Sequence, residues 1–152
     1  MADIVTADVR SRMMSGIKGK DTKPELLVRK ALHRSGFRYR LHVKGLPGKP
    51  DLVFPKWKAV IFVNGCFWHG HDCHLFRLPA SRADFWREKI AGNVERDDRV
   101  VESLKTAGWR VAIVWGCALE GKERLDSEEV LSLLAEWLQG NAGTLEIRGV
   151  AA

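Results

Sequence analysis

Three cysteines and one histidine constrain this chain more than any other feature. Cys66, His71 and Cys73 form a C-x4-H-x-C pattern, and Cys117 follows a later apolar run. Three thiolates and an imidazole make a closed tetrahedral set of the kind that holds structural zinc. Every cysteine is used, so their odd number needs no disulfide. His69 and His74 are competing imidazoles, and spacing does not choose among the three. A metal bound here would pin the irregular stretch 66–80 to the end of the strand before Cys117, and its binding would contribute directly to folding.

The rest of the chain reads as one α/β domain. Thr22-Lys23-Pro24-Glu25 opens a helix, with Thr22 as cap, Pro24 in the first turn and Glu25 where a capping-box acid belongs. Gly36 ends it. Phe37 to His42 reads as a strand, and Asp51 to Phe54 as a short strand opening on a carboxylate. Ala59 to Val63 is a continuous apolar run that fits a buried central strand. Residues 81–107 read as one long helix with a kink near Gly92, Arg110 to Trp115 as a second buried strand, and Ser127 onward as a last helix. The order α-β-β-β-α-β-α predicts a mixed sheet flanked by helices. Residues 1–20 read as a basic arm, 21–140 as the folded body, and 141–152 as a loose, frayed tail.

The 152 residues carry a net charge of +6, which favours a polyanionic partner through release of condensed counterions. No apolar run is long enough to cross a bilayer and no basic-then-apolar leader opens the sequence, so the expected compartment is the cytoplasm, in association with the nucleoid. Phe67 and Trp68 lie between Cys66 and His71. Two large aromatics on a pinned loop need a partner, and stacked bases would provide one.

Several stretches carry a resemblance. Gly16 to Lys23 (GIKGKDTK), Phe37 to Leu41 (FRYRL), Leu46 to Phe54 (LPGKPDLVF) and Phe62 to His71 (FVNGCFWHGH) closely resemble the very-short-patch mismatch repair endonucleases. Cys73 with Leu75-Phe76-Arg77, then Asn93 to Asp97 (NVERD), Gly108 to Val111 (GWRV), Trp115 and Cys117 extend the similarity over about residues 8–120. The resemblance implies a restriction-endonuclease-like α/β fold and a nickase that depends on Mg²⁺ and contains structural zinc. Its substrate would be duplex DNA with a T·G mispair left by deamination of 5-methylcytosine, cut on the 5′ side of the T. Mismatch repair proteins and a linked cytosine-5 methyltransferase would be its partners, and the enzyme would act as a monomer.

Residue by residue, the resemblance makes Asp51 of the Pro50-Asp51 dipeptide a direct Mg²⁺ ligand and gives a second ligand to the backbone carbonyl of Val63. The acid-x-lysine triplet usual in this fold is replaced by Phe62-Val63-Asn64. Asn64 stands where the best-known member has a histidine acting through metal-bound water; asparagine can hydrogen-bond such a water but cannot carry a proton. Glu25 would reach the metal through water, in addition to its capping position. His69 would be the general base, and Asp97 could orient it. Phe67, Trp68 and Trp86 would wedge beside the mispair from the major groove, and Met14 from the minor groove. Trp57, Trp109, Trp115 and Trp137 are left to packing.

Overall fold

Thr22 starts the first helix, α1 (Lys23–Arg34), its hydroxyl accepting the Glu25 amide at 3.4 Å. The helix closes in a Schellman motif: the Phe37 amide donates to the Leu32 carbonyl and the Gly36 amide to that of His33, with Gly36 at φ +97°. The computed structural model describes residues 22–150, so Met14 and the rest of the basic arm lie outside the described residues.

Four strands follow: β1 (Leu52–Phe54), β2 (Ala59–Asn64), β3 (Arg110–Trp115) and β4 (Thr144–Ile147), ordered β1-β2-β3-β4. β1 pairs antiparallel with β2, while β2 with β3 and β3 with β4 are parallel. Helix α2 (Ala83–Thr106) connects β2 to β3 and runs unbroken across Gly92; a short α3 (Gly116–Leu119) and then α4 (Ser127–Gln139) lead to β4. Period-two alternation sends Ala59, Ile61, Ala112 and Val114 into a core beneath α1 and α4, and Val60 and Val111 into a second core beneath α2. The sheet is therefore a middle layer between helices.

Two readings of the sequence are corrected. Phe37 to His42 is not a strand: among its residues only Arg40 bridges Val53, because β1 has just three residues to pair with and His42 turns the chain at φ +55°. The tail is not frayed up to residue 150. Thr144 to Ile147 pairs in register with Val111 to Val114, supplied with backbone partners by β3 itself.

Arg110, at the start of β3, locks this arrangement. Its guanidinium donates to the carbonyls of Trp57, Trp137, Leu138 and Ala142 at 2.7–3.3 Å, and it lies over the Trp137 ring. Three of these acceptors belong to the end of α4 and the turn that follows it. Replacing Arg110 with Met keeps the stem and strands these carbonyls, so Arg110→Met should cost about 2–3 kcal/mol, the scale of charge-assisted hydrogen bonds. Urea denaturation monitored by tryptophan fluorescence measures it.

Candidate active site and metal centre

The topology gathers the predicted site at one end of the sheet. β2 and β3 are parallel, so Asn64 and Trp115 end side by side, in register. β1 runs the other way, so Asp51, just before it, starts at that same end. Asp51 Oδ2 accepts the Val63 amide at 2.7 Å. The N–H and C=O of one strand residue face the same neighbour, so the Val63 carbonyl is turned to the edge where Asp51 lies. The Lys58 carbonyl, which accepts the Arg110 amide across to β3, fixes the opposite parity for even-numbered residues of β2.

Glu25 is buried, only 2% exposed, and its carboxylate takes the Arg29 guanidinium at 3.0 Å. It also shares a side-chain hydrogen bond with Asp51. The Asp51 carboxyl is pushed up to about 7: burial is the main cause, the Val63 amide opposes it, and the charge and hydrogen bond of Glu25 add to the rise. Two abutting carboxyls need a proton or a cation between them. Their oxygens, with the carbonyl of Val63, are the hard donors a Mg²⁺ site uses, so the donor set fits. Asn64 is buried and, by alternation, shares a face with Val60 and Phe62, the side covered by α2.

Beyond β2 the chain coils tightly. The amides of His69, Gly70 and His71 donate back to the carbonyls of Gly65, Phe67 and Cys66 at 2.9–3.2 Å. One stripe of α2 receives this coil. Asp97 Oδ2 lies 2.6 Å from His69 Nδ1, and Asn93 Nδ2 donates to the Trp68 carbonyl at 2.9 Å. Gly70, at φ +60°, has no room for a side chain, since a Cβ would come within 2.8 Å of Ile90 and Val94. Positions 90, 93, 94 and 97 follow the i, i+3, i+4, i+7 spacing of one helix face. With Nδ1–H given to Asp97, Nε2 of the half-buried His69 keeps its lone pair as a proton acceptor.

Cys66, His71, Cys73 and Cys117 bring their ligand atoms within 4.8 Å of one another. The structure thus selects His71 among the three imidazoles; His69 pairs with Asp97, and His74 Nδ1 lies 3.1 Å from Glu123. His71 Nδ1 is 3.6 Å from Cys117 Sγ, and tetrahedral zinc with its usual bond lengths holds sulfur and nitrogen ligands about 3.6 Å apart. Burial pushes the Cys66 and Cys117 thiols up and the His71 imidazolium down. Such a pocket disfavours bare thiolates and keeps the imidazole neutral, and a dication restores the balance. The set fits zinc.

The aromatics meet as well. Phe67, Trp68 and Trp86 form a triangle of edge contacts with centroids 5.1–5.8 Å apart, all three half-buried. Phe76 and Phe85 extend it.

Sequence reasoning missed the parts that back the metal cluster. The Gly149 amide donates to Cys117 Sγ at 3.2 Å, and Arg148 clamps Asp72 at 2.8 Å. Trp115, assigned to packing, stacks on His71 at 4.0 Å and donates its indole N–H to Glu146. Trp115 had a signal in the family resemblance, and at Gly149 the structure shows why a glycine stands there: a Cβ would meet the Cys117 and Glu123 carbonyls at 2.5 and 2.6 Å. Among the described residues, no helix is long and apolar enough to cross a membrane.

The mixed sheet flanked by helices is that of a restriction-endonuclease-like DNA endonuclease. The profile of the family described as DNA mismatch endonuclease Vsr matches residues 2–75. The DNA mismatch endonuclease Vsr of Escherichia coli strain K12 is 44% identical over 147 residues, covering 97% of this chain and 94% of that one. A type II nicking enzyme of Xanthomonas oryzae pv. oryzae is 47% identical across 84% of this chain and 93% of its own. One from Neisseria meningitidis serogroup A is 49% identical across 80% and 87%. The chain belongs to the Vsr family of DNA mismatch endonucleases.

Cys117 supplies the ligand most distant in sequence, so Cys117→Ser should release the loop from the end of β3. We expect one zinc per wild-type chain by elemental analysis, and less than a tenth of that in Cys117→Ser together with a melting temperature lower by several degrees. A stable, metal-free wild type would refute the cluster.

Proposed function

We propose that this protein nicks one strand of duplex DNA at a T·G mispair, on the 5′ side of the T, using a Mg²⁺ ion held by Asp51 and the Val63 carbonyl, with Glu25 reaching it through water. Zinc at Cys66, His71, Cys73 and Cys117 has a structural role. The observation that carries the reading is the pairing of half-buried Asp51 with buried Glu25, whose raised carboxyl and hard donors call for a divalent cation in a chain so similar to mismatch endonucleases. A divalent cation there would supply Lewis-acid polarisation of the scissile phosphate and offset charge on the leaving oxygen.

The chain's own residues do the rest. His69 Nε2 accepts the proton of an attacking water while Asp97 holds the ring by Nδ1. The water oxygen bonds to phosphorus, the bond from phosphorus to the 3′-oxygen breaks in line, and that oxygen takes a proton from solvent. The products are a 5′-phosphate and a 3′-hydroxyl. Asn64 hydrogen-bonds water at the strand end without carrying its proton. Phe67, Trp68 and Trp86, braced against one another, present faces on which unstacked bases can rest, and Met14 enters from the minor groove. A mispair unstacks more easily than a matched pair, so the wedge selects it. The protein works as a monomer at the nucleoid, handing nicked DNA to mismatch repair proteins.

Asp51→Asn removes the anionic donor and keeps its shape. It should lower nicking of a T·G duplex by at least a thousandfold while mismatch binding changes less than about threefold, since phosphate contacts dominate affinity. The raised carboxyl adds a pH signature. Asp51 is protonated below about pH 7 without metal, so Mg²⁺ binding must displace that proton, and affinity should rise with pH up to about 7 and then level off. Calorimetry in buffers of different ionisation enthalpy should find about one proton released per Mg²⁺ at pH 6 in the wild type and none in Asp51→Asn. Efficient nicking by the variant would overturn the site; binding without nicking by the wild type would leave only a mismatch-binding module.

Trp68→Ala tests the wedge. Losing one base stack of ~1–3 kcal/mol should weaken T·G binding roughly tenfold to hundredfold and leave binding to paired DNA nearly unchanged. An equal loss on both duplexes, with a large drop in melting temperature, would make Trp68 a packing residue.

A further inference from the structure

One peptide unit joins the wedge to the base, the amide between Trp68 and His69. Its N–H is held by the Gly65 carbonyl at 3.2 Å. Its C=O is held by Asn93 Nδ2 at 2.9 Å. The orientation of the Asn93 amide is set independently, because its Oδ1 accepts the Arg96 guanidinium at 3.4 Å, leaving the NH₂ for the carbonyl. No backbone donor of the coil serves the Trp68 carbonyl among the described hydrogen bonds. One turn further along α2, Asp97 holds His69 Nδ1.

We propose that Asn93 is a positioning residue that holds the backbone between Trp68 and His69 in the orientation that aligns His69. The inference rests on the wedge and base roles given above. A peptide is a rigid plane, and one held at both its N–H and its C=O cannot turn about its flanking dihedrals. His69 then leaves the plane in a fixed direction, and Asp97 sets its ring. Without the Asn93 donor the plane can rotate. Trp68 can still insert, but His69 no longer keeps its alignment. Asn93 thereby couples a seated Trp68 to an aligned His69. It touches neither water nor phosphate in this scheme.

Asn93→Asp tests this with almost no change in size, since a carboxylate cannot donate to a carbonyl; Asn93→Ala is its companion. One net hydrogen bond is worth roughly a twofold to tenfold change in a rate or equilibrium. We expect the single-turnover nicking rate at saturating T·G duplex to fall about tenfold in both variants. Affinity for that duplex should change less than twofold, and the melting temperature by only a degree or two. Independently of activity, hydrogen exchange of the His69 amide in the free protein should quicken about tenfold in Asn93→Asp. A proportionate loss of affinity with an unchanged saturated rate would make Asn93 a DNA contact and overturn the proposal. Unchanged rate and exchange would also overturn it, as would a large drop in melting temperature with equal losses throughout. His69→Ala and Trp68→Ala, run alongside, keep the two ideas apart. If they leave nicking and mismatch preference intact, the base and wedge roles fail and the coupling falls with them, even where faster exchange confirms the grip. If they behave as expected and Asn93 does not, only the coupling fails.

Discussion

The joint between the coil at 66–73 and Cys117 governs the reactive end of this molecule. It fastens the chain leaving β2 to the chain leaving β3, and both strands end in register at Asn64 and Trp115. Buried thiols and a neutral imidazole are a poor resting state for such a joint. A tightly bound dication turns the same pocket into a cross-link. His69 and the aromatics Phe67 and Trp68 lie within this fastened coil, so their placement depends on it.

A second support comes from α2. This 24-residue helix buries only Ile90 and Leu104 fully. Its contribution to the site is a stripe of short polar and branched side chains that meets the coil. Gly70 lets that stripe come close, and Asn93 and Asp97 bond to what it meets. The coil is thus held by ligands from within and by a helix from without, which leaves the neighbouring carboxyl pair to be set by α1 and β1. The aromatic cluster and the His69–Asp97 pair meet at one peptide, between Trp68 and His69.

Much of this was legible in the sequence because the chemistry is local. The Cys/His pattern, the acid after Pro50 and the helix start at Thr22 each declare themselves within a few residues. The unbroken apolar runs of β2 and β3 did the same. What was not legible depends on distance. Glu25 by its own position reads as a capping acid, because a first-turn carboxylate usually is one; the family resemblance put it near the metal of Asp51, and the fold brings the two carboxyls together. β4 was missed because Thr-Leu-Glu-Ile is four residues long, half polar, and draws its stability from pairing with β3. The choice of His71 over His69 and His74 was likewise beyond spacing, since each imidazole has a partner on a different element: Cys117, Asp97 and Glu123.

The docking of β4 reaches back to the cluster. All four clustered residues precede residue 118, yet the amide that steadies Cys117 Sγ belongs to Gly149, and the Val150 amide closes on Glu123. The sulfur furthest along the chain is thus covered by backbone that β4 carries into place beside β3. Peeling that short terminal strand away would strip Cys117 Sγ of its amide donor and open the cluster to solvent, without disturbing the central pair of β2 and β3.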